Sequence, residues 1–204
     1  LGDQVLVLAL AQGRRWADAG LPCRVGVNVS PSQFNIAGFA EHVLRRLREA
    51  GVAPQDLTVE ITESMAMTDF EATAQRLQTL REAGVRVAID DFGVGFSNLS
   101  QLARLPVDVI KLDRSLIEAI GSGGKAEALL RAIVGMADAL GLRTVAEGIE
   151  TPAQRDFVAS LACPCAQGYL FGRPMDAVAF DAWREAHAQE SAQQSAQEAA
   201  ALPA

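Results

Sequence analysis

Polar side chains close a series of short β-branched runs along this 204-residue chain: Asn28, Glu60, Asp90 with Asp91, Lys111, Glu147 and Gln167. Four of them are carboxylates. Brought to one rim without partners they repel, and two such charges about 4 Å apart at an effective dielectric near 20 cost roughly 4 kcal/mol. One lysine does not offset four acids. Divalent cations do, and ligands that are all oxygen favour magnesium or manganese over zinc. Any one of these acids is as well explained by a helix cap or a surface ion pair. Six successive strands ending this way are better explained by a shared site.

The elements that would position these residues alternate. Strand candidates are Cys23–Ser30, Leu57–Thr62, Val85–Asp90, Val107–Leu112, Leu142–Glu147 and Cys165–Leu170, with helices expected over Leu1–Ala19, Ala37–Ala50, Asp69–Ala83, Lys125–Leu140, Thr151–Leu161 and Ala177–Ala188. Strand alternating with helix implies parallel pairing through right-handed crossovers. Within the strands one face is aliphatic (Val25, Val27, Val29; Leu57, Val59, Ile61) and the other small or polar (Gly26, Asn28; Thr58, Glu60, Thr62). An open sheet covered on both sides is apolar on both faces. A β/α barrel puts helices outside and functional groups at the C-terminal strand ends, so the pattern predicts an α/β, TIM-like barrel. Six strand signals are visible where such a barrel has eight. The expected domain, 1–188, is therefore incomplete at its N-terminus and read as part of a longer protein. The Ala/Gln-rich run 189–204 is expected to fray or to be disordered.

Composition narrows the function classes. Net charge is −7, which argues against a nucleic-acid polymer as partner but not against a small anion held through metal ions. Cys23, Cys163 and Cys165 lack metal-site spacing and are read as idle thiols. No apolar run is long enough to span a bilayer, and no secretory signal is visible. A cytoplasmic domain is expected, with attachment of the parent protein to a membrane left open. Gly121-Ser122-Gly123-Gly124 reads as a loop, Trp16 and Trp183 as packing residues, and His42 and His187 are given no ligand role.

Val27-Asn28-Val29-Ser30, Glu60-Ile61-Thr62-Glu63, Asp90-Asp91-Phe92-Gly93-Val94-Gly95-Phe96-Ser97, Lys111-Leu112-Asp113, Ala146-Glu147-Gly148 and Gln167-Gly168-Tyr169 resemble, in order, the motifs of the EAL domain family, over roughly residues 1–185. The resemblance implies a modified β/α barrel of which the third to eighth strands are visible. It also implies hydrolysis of cyclic di-GMP to linear pGpG by a two-metal phosphodiesterase in a signalling protein. Asn28, Glu60, Asp90, Asp91 and Glu147 would then be ligands to two divalent cations, Mg2+ or Mn2+, with Ca2+ inhibitory. Lys111, Glu147 and Gln167 would be catalytic, and Ser30, Gln33, Arg173 and Pro174 would bind substrate. Glu63, Asp91, Phe92 and Gly93 would anchor the loop after the family's fifth strand, Asp91–Asn98 here, through which a homodimer is expected.

Two features depart from that pattern. The Glu-Ala-Leu triplet that gives the family its name belongs on the second strand, which is not in this sequence; Glu127-Ala128-Leu129 carries the letters in a helical stretch and reads as coincidence. Phe96 and Asn98 stand where tyrosine and serine are common in the loop. The alternative reading is a non-catalytic relative that binds cyclic di-GMP or a protein partner.

Overall fold

The computed structural model describes residues 2–95, 99–121 and 123–187. The chain starts in α1 (Gly2–Asp18), followed by β1 (Val25–Asn28), α2 (Pro31–Phe34), α3 (Phe39–Ala50) and β2 (Leu57–Thr62). Next come α4 (Glu63–Met67), α5 (Phe70–Glu82), β3 (Arg86–Phe92), α6 (Leu99–Leu102) and β4 (Val109–Leu112). Then α7 (Arg114–Glu118), α8 (Gly124–Ala139), β5 (Arg143–Ala146), α9 (Pro152–Ser160) and β6 (Cys165–Ala166) follow. Two compact units are distinguished, 1–171 and 172–204. Among the described residues the second holds a helix over 177–187, where Trp183 stacks between Phe180 and His187. The expected boundary at 188/189 and the tail beyond it lie outside the described residues.

All six strands pair in parallel, in the sequential order β1-β2-β3-β4-β5-β6. A doubly wound sheet reverses its order at a switch point; this one never reverses, which is the ordering of a β/α barrel. β1 and β6 are its edges among the described residues. Because every strand runs the same way, all six C-terminal ends lie along one edge of the sheet.

The alternation read from sequence becomes the packing. Leu57, Val59 and Ile61 of β2, Val87 and Ile89 of β3 and Ile110 and Leu112 of β4 are buried in one cluster. Helices cover it at helical spacing, with Phe39, Val43 and Leu47 from α3, Leu77 and Leu80 from α5, and Leu130 and Val134 from α8. Each such side chain contributes about 1.5–3 kcal/mol on burial. α3 stops at Gly51, whose φ of +64° places it in the left-handed region; its carbonyl accepts from Arg14 Nη1 at 2.9 Å, tying α1 to the end of α3.

Only β2 keeps its expected bounds; β1, β4 and β5 are two to four residues shorter than expected, and β6 and β3 differ for identifiable reasons. β6 covers Cys165–Ala166 where Cys165–Leu170 was expected, because the backbone at Gly168 turns onto Ile149 and a Cβ there would fall 2.2 Å from the Ile149 carbonyl oxygen. β3 runs past Asp90 to Phe92, with an irregular register between Ile89 and Phe92. Four short helices, α2, α4, α6 and α7, have too few turns to show a period in sequence. Gly124, expected in a loop, opens α8, and Glu127 of the Glu-Ala-Leu triplet lies in that helix's first turn, accepting from Gly121 N at 3.1 Å.

Candidate active site

The strand ends assemble a buried charge cluster. Asn28 and Glu60 sit side by side in register on β1 and β2, and Thr62 pairs with Asp90 across β2 and β3. Lys111 projects from β4 into the middle of the acids. Its Nζ lies 2.6 Å from Glu60 Oε2, 2.8 Å from Glu147 Oε1 and 3.0 Å from Asp90 Oδ1. Lys111 and Asp90 are only 8% and 9% exposed, so these pairs are poorly screened. Gln167 Nε2 donates to the same Glu147 Oε1.

A single lysine engages three of the four acids without offsetting them. It does so because β4 lies between β3 and β5 and its flexible stem reaches across both neighbours. The compensation is incomplete. Burial first, then Asp90 and Glu60, push the Glu147 carboxyl above the usual range against the pull of Lys111. Burial, Asp90 and Asp113 do the same to Asp91. Burial alone would depress the Lys111 ammonium; its hydrogen bonds to Glu147, Glu60 and Asp90 outweigh that and hold it above the ordinary lysine value.

Adjacent residues on a regular strand point to opposite faces, so Asp90 and Asp91 should diverge. The irregularity in β3 brings them together. Asp91 takes φ +54°, its N–H donates to Asp90 Oδ1 at 3.1 Å, and oxygens of Asp90, Asp91 and Glu147 lie within 4.8 Å of one another. A bulge that redirects a side chain is a common device beside functional sites. Space matters too: a Cβ on Gly26 would meet Glu60 Oε1 at 2.3 Å, so only glycine leaves the Glu60 carboxylate its position.

Just past the end of β2, Glu63, the first residue of α4, is 6% exposed. Its Oε2 accepts from Gly93 N at 3.1 Å, and a Cβ on Gly95 would meet its Oε1 at 2.4 Å. Gly93 itself has φ +105° and packs on Leu116. Phe92 is 3% exposed and belongs to the core, so within this chain it can hold the segment but presents no surface. Residues 96–98 lie outside the described residues.

Ser30 and Gln33, expected at the substrate, lie just past Asn28 as the capping box of α2, with Ser30 Oγ donating to Gln33 Oε1 at 2.8 Å. Arg173 and Pro174 belong to the second unit, where both are exposed. Sequence reading gave no role to Gly26 or to Asp113. The second caps α7, accepting from Ser115 N at 2.8 Å, and its charge acts on Asp91. Its place two residues after Lys111 was the available signal.

The residues fit hard cations. Glu60 Oε1, Asp90 Oδ2 and Glu147 Oε2 receive no hydrogen bond among the described residues, the ligand atoms the cluster offers are oxygens, and the excess negative charge is largely buried. That is the ligand chemistry of Mg2+ and Mn2+ rather than of zinc.

Comparison with known proteins agrees with this architecture. A family model described as "EAL domain" matches residues 1–174. Over 178 residues the chain is 41% identical to the bifunctional diguanylate cyclase/cyclic di-GMP phosphodiesterase MucR of Pseudomonas aeruginosa, covering 87% of this chain and 26% of that protein. It is 37% identical to the cyclic di-GMP phosphodiesterase PdeR of Escherichia coli, covering 90% of this chain and 28% of that protein. The chain thus spans about a quarter of these relatives' length. Among solved structures, the PaMucR phosphodiesterase in complex with c-di-GMP superposes with a TM-score of 0.84 at 40% identity, covering 88% of this chain and 73% of that one. The manganese/cy-diGMP complex of Klebsiella pneumoniae BlrP1 gives 0.74 at 33%, covering 82% and 43%. With its family model matched along most of its length and its parallel sheet superposing on theirs, the chain belongs to the EAL domain family.

Proposed function

We propose that this chain hydrolyses one phosphodiester bond of cyclic di-GMP, giving linear pGpG, with two divalent cations, Mg2+ or Mn2+, as a domain of a signalling protein. The observation that carries the reading is the Glu60-Asp90-Glu147 cluster around Lys111, with Asp91 turned towards it, in a chain whose relatives are named cyclic di-GMP phosphodiesterases.

Asn28, Glu60, Asp90, Asp91 and Glu147 would hold the cations, which when bound supply charge to the phosphate and lower the pKa of coordinated water. Lys111 is held as an ammonium by three carboxylates, so it acts as a donor: it orients water and stabilises charge growing on the phosphoryl oxygens. Gln167 fixes the Glu147 carboxylate by binding one of its oxygens. Glu63 grips the backbone at Gly93 and so ties the segment after β3 to the acidic edge. Ser30 and Gln33, beside Asn28, contribute to the substrate site. We further assign a homodimer to the barrel face that carries this segment, and the barrel domain to residues 1–188. Ca2+ would inhibit, since its larger and looser shell suits a magnesium-type site badly. Among the described residues no helix is long and apolar enough to cross a membrane.

The test is chromatographic. The full-length protein with Mn2+ should convert cyclic di-GMP to pGpG, and Asp90→Ala or Glu147→Ala should abolish turnover. Near-normal hydrolysis in either variant would reject the assignment. Binding of cyclic di-GMP without turnover in the wild type would instead establish a receptor.

A further inference from the structure

The opposite ends of the same strands carry a second, basic cluster. Arg24, Arg86 and Arg143 each stand four residues before Asn28, Asp90 and Glu147. An even separation keeps them on the same face of the sheet, about 13 Å below the acidic edge at 3.3 Å per residue. Gly26, Ala88 and Val145 lie between.

Several guanidiniums elsewhere pair with carboxylates, Arg14 with Asp18, Arg46 with Asp3, Arg81 with Asp108, Arg104 with Glu71 and Arg114 with Glu150, while others such as Arg15 and Arg131 bond Gln12 or stack on Phe157. Among the described residues no ion pair reaches Arg24, Arg86 or Arg143. Arg24 donates to the Gln55 carbonyl at 3.1 Å, and Arg143 lies 3.8 Å from Cys165 Sγ. Arg24 feels the charges of the other two. Burial, then Arg86 and Arg143, lower the proton affinity of Arg24, with Asp56 offsetting part of this.

Arg86 and Arg143 line a cavity of about 440 Å³ between the starts of β3, β4 and β5. The acid in its wall is already engaged: Asp108 accepts from Arg81 Nε at 3.0 Å and from Val87 N at 2.9 Å. The cavity therefore presents uncompensated positive charge, in a volume suited to a small ligand.

We propose that this cavity, with Arg86 and Arg143 in its wall and Arg24 beside them, is a binding site for a small phosphate-bearing anion, separate from the acidic edge. Forked guanidinium donors match the geometry of phosphate oxygens, and more than one is satisfied at once by an anion with several charges and acceptors.

Pyrophosphate is the probe. Titrated calorimetrically into the full chain with EDTA present, it should bind one to one, more weakly as NaCl rises. Arg86→Gln/Arg143→Gln should weaken binding by about tenfold or more, the consequence of losing charge-assisted hydrogen bonds. Arg24→Gln, at an exposed position where folding is not at stake, should weaken it by a smaller factor, and Arg104→Gln on the outer surface should leave it unchanged. No binding, binding indifferent to Arg24 and to the Arg86/Arg143 pair, or equal weakening by Arg104→Gln would overturn the site. Failure of pGpG formation with pyrophosphate binding intact would sink the hydrolysis reading and leave this site standing.

Discussion

Lys111 is the residue on which the acidic edge turns. It is buried, and it is the cation common to three carboxylates. Removing one partner from a buried ionic group leaves the others uncompensated, at a cost of about 3–5 kcal/mol. Lys111→Met should therefore destabilise the metal-free chain by that amount in urea unfolding at pH 7, and by clearly less at acid pH, where Glu147, its carboxyl held above the usual range, takes up a proton early. An equal loss at both pH values would mean that packing, not charge, is what the lysine supplies. Asp91 gives a prediction of opposite sign. Its carboxyl is held above the ordinary range, so its proton is bound more tightly in the folded chain. Stability from such a group is full below the unfolded pKa and is lost as pH rises through the folded one. Asp91→Asn should make the metal-free chain more stable at neutral pH and change little in acid, as read from melting temperatures across that window.

At the scale of elements, the bulge in β3 and the turn after it carry the geometry. Gly93 sits at φ +105° with Leu116 against it, and its N–H is the donor to Glu63. A side chain in that conformation costs about 1–3 kcal/mol. Gly93→Ala should lose that much stability and lower hydrolysis along with it, whereas Thr151→Ala, which breaks only the capping box of α9, should cost about 1 kcal/mol and leave hydrolysis unchanged. Equal loss of hydrolysis in both variants would detach the segment after β3 from the site. Much of this layer was legible beforehand. Leu57–Thr62 was expected as a strand and is one with the same bounds, because an alternation of aliphatic and polar residues following the Pro54 turn signal leaves few other options. The short helices α2, α4, α6 and α7 were not, since four or five residues show no period.

For the whole molecule, sequential parallel order is what lets residues far apart in the chain share one edge. The polar strand ends could be read from sequence as a set. Their mutual arrangement could not: Lys111 meets Glu60 across 51 positions and Gly93 meets Glu63 across 30, and no local pattern encodes which neighbour a long side chain chooses. The basic cluster was missed for the same reason, as Arg24, Arg86 and Arg143 look like ordinary strand-flanking charges until the strands are side by side. Cation binding should act on stability as a whole. A ligand bound only by the folded state adds about 2.7 kcal/mol at a hundredfold excess over its Kd, and the gain from Mn2+ should grow as pH rises and the acids ionise.

The most direct measurement is Mn2+ binding itself, followed by calorimetry or by the loss of free-ion paramagnetic signal. Wild-type protein should take up Mn2+ at neutral pH, and Asp90→Asn/Glu147→Gln should lose that uptake while remaining folded by circular dichroism. A folded double variant that binds Mn2+ as the wild type does, or a wild type that binds none, would contradict the account.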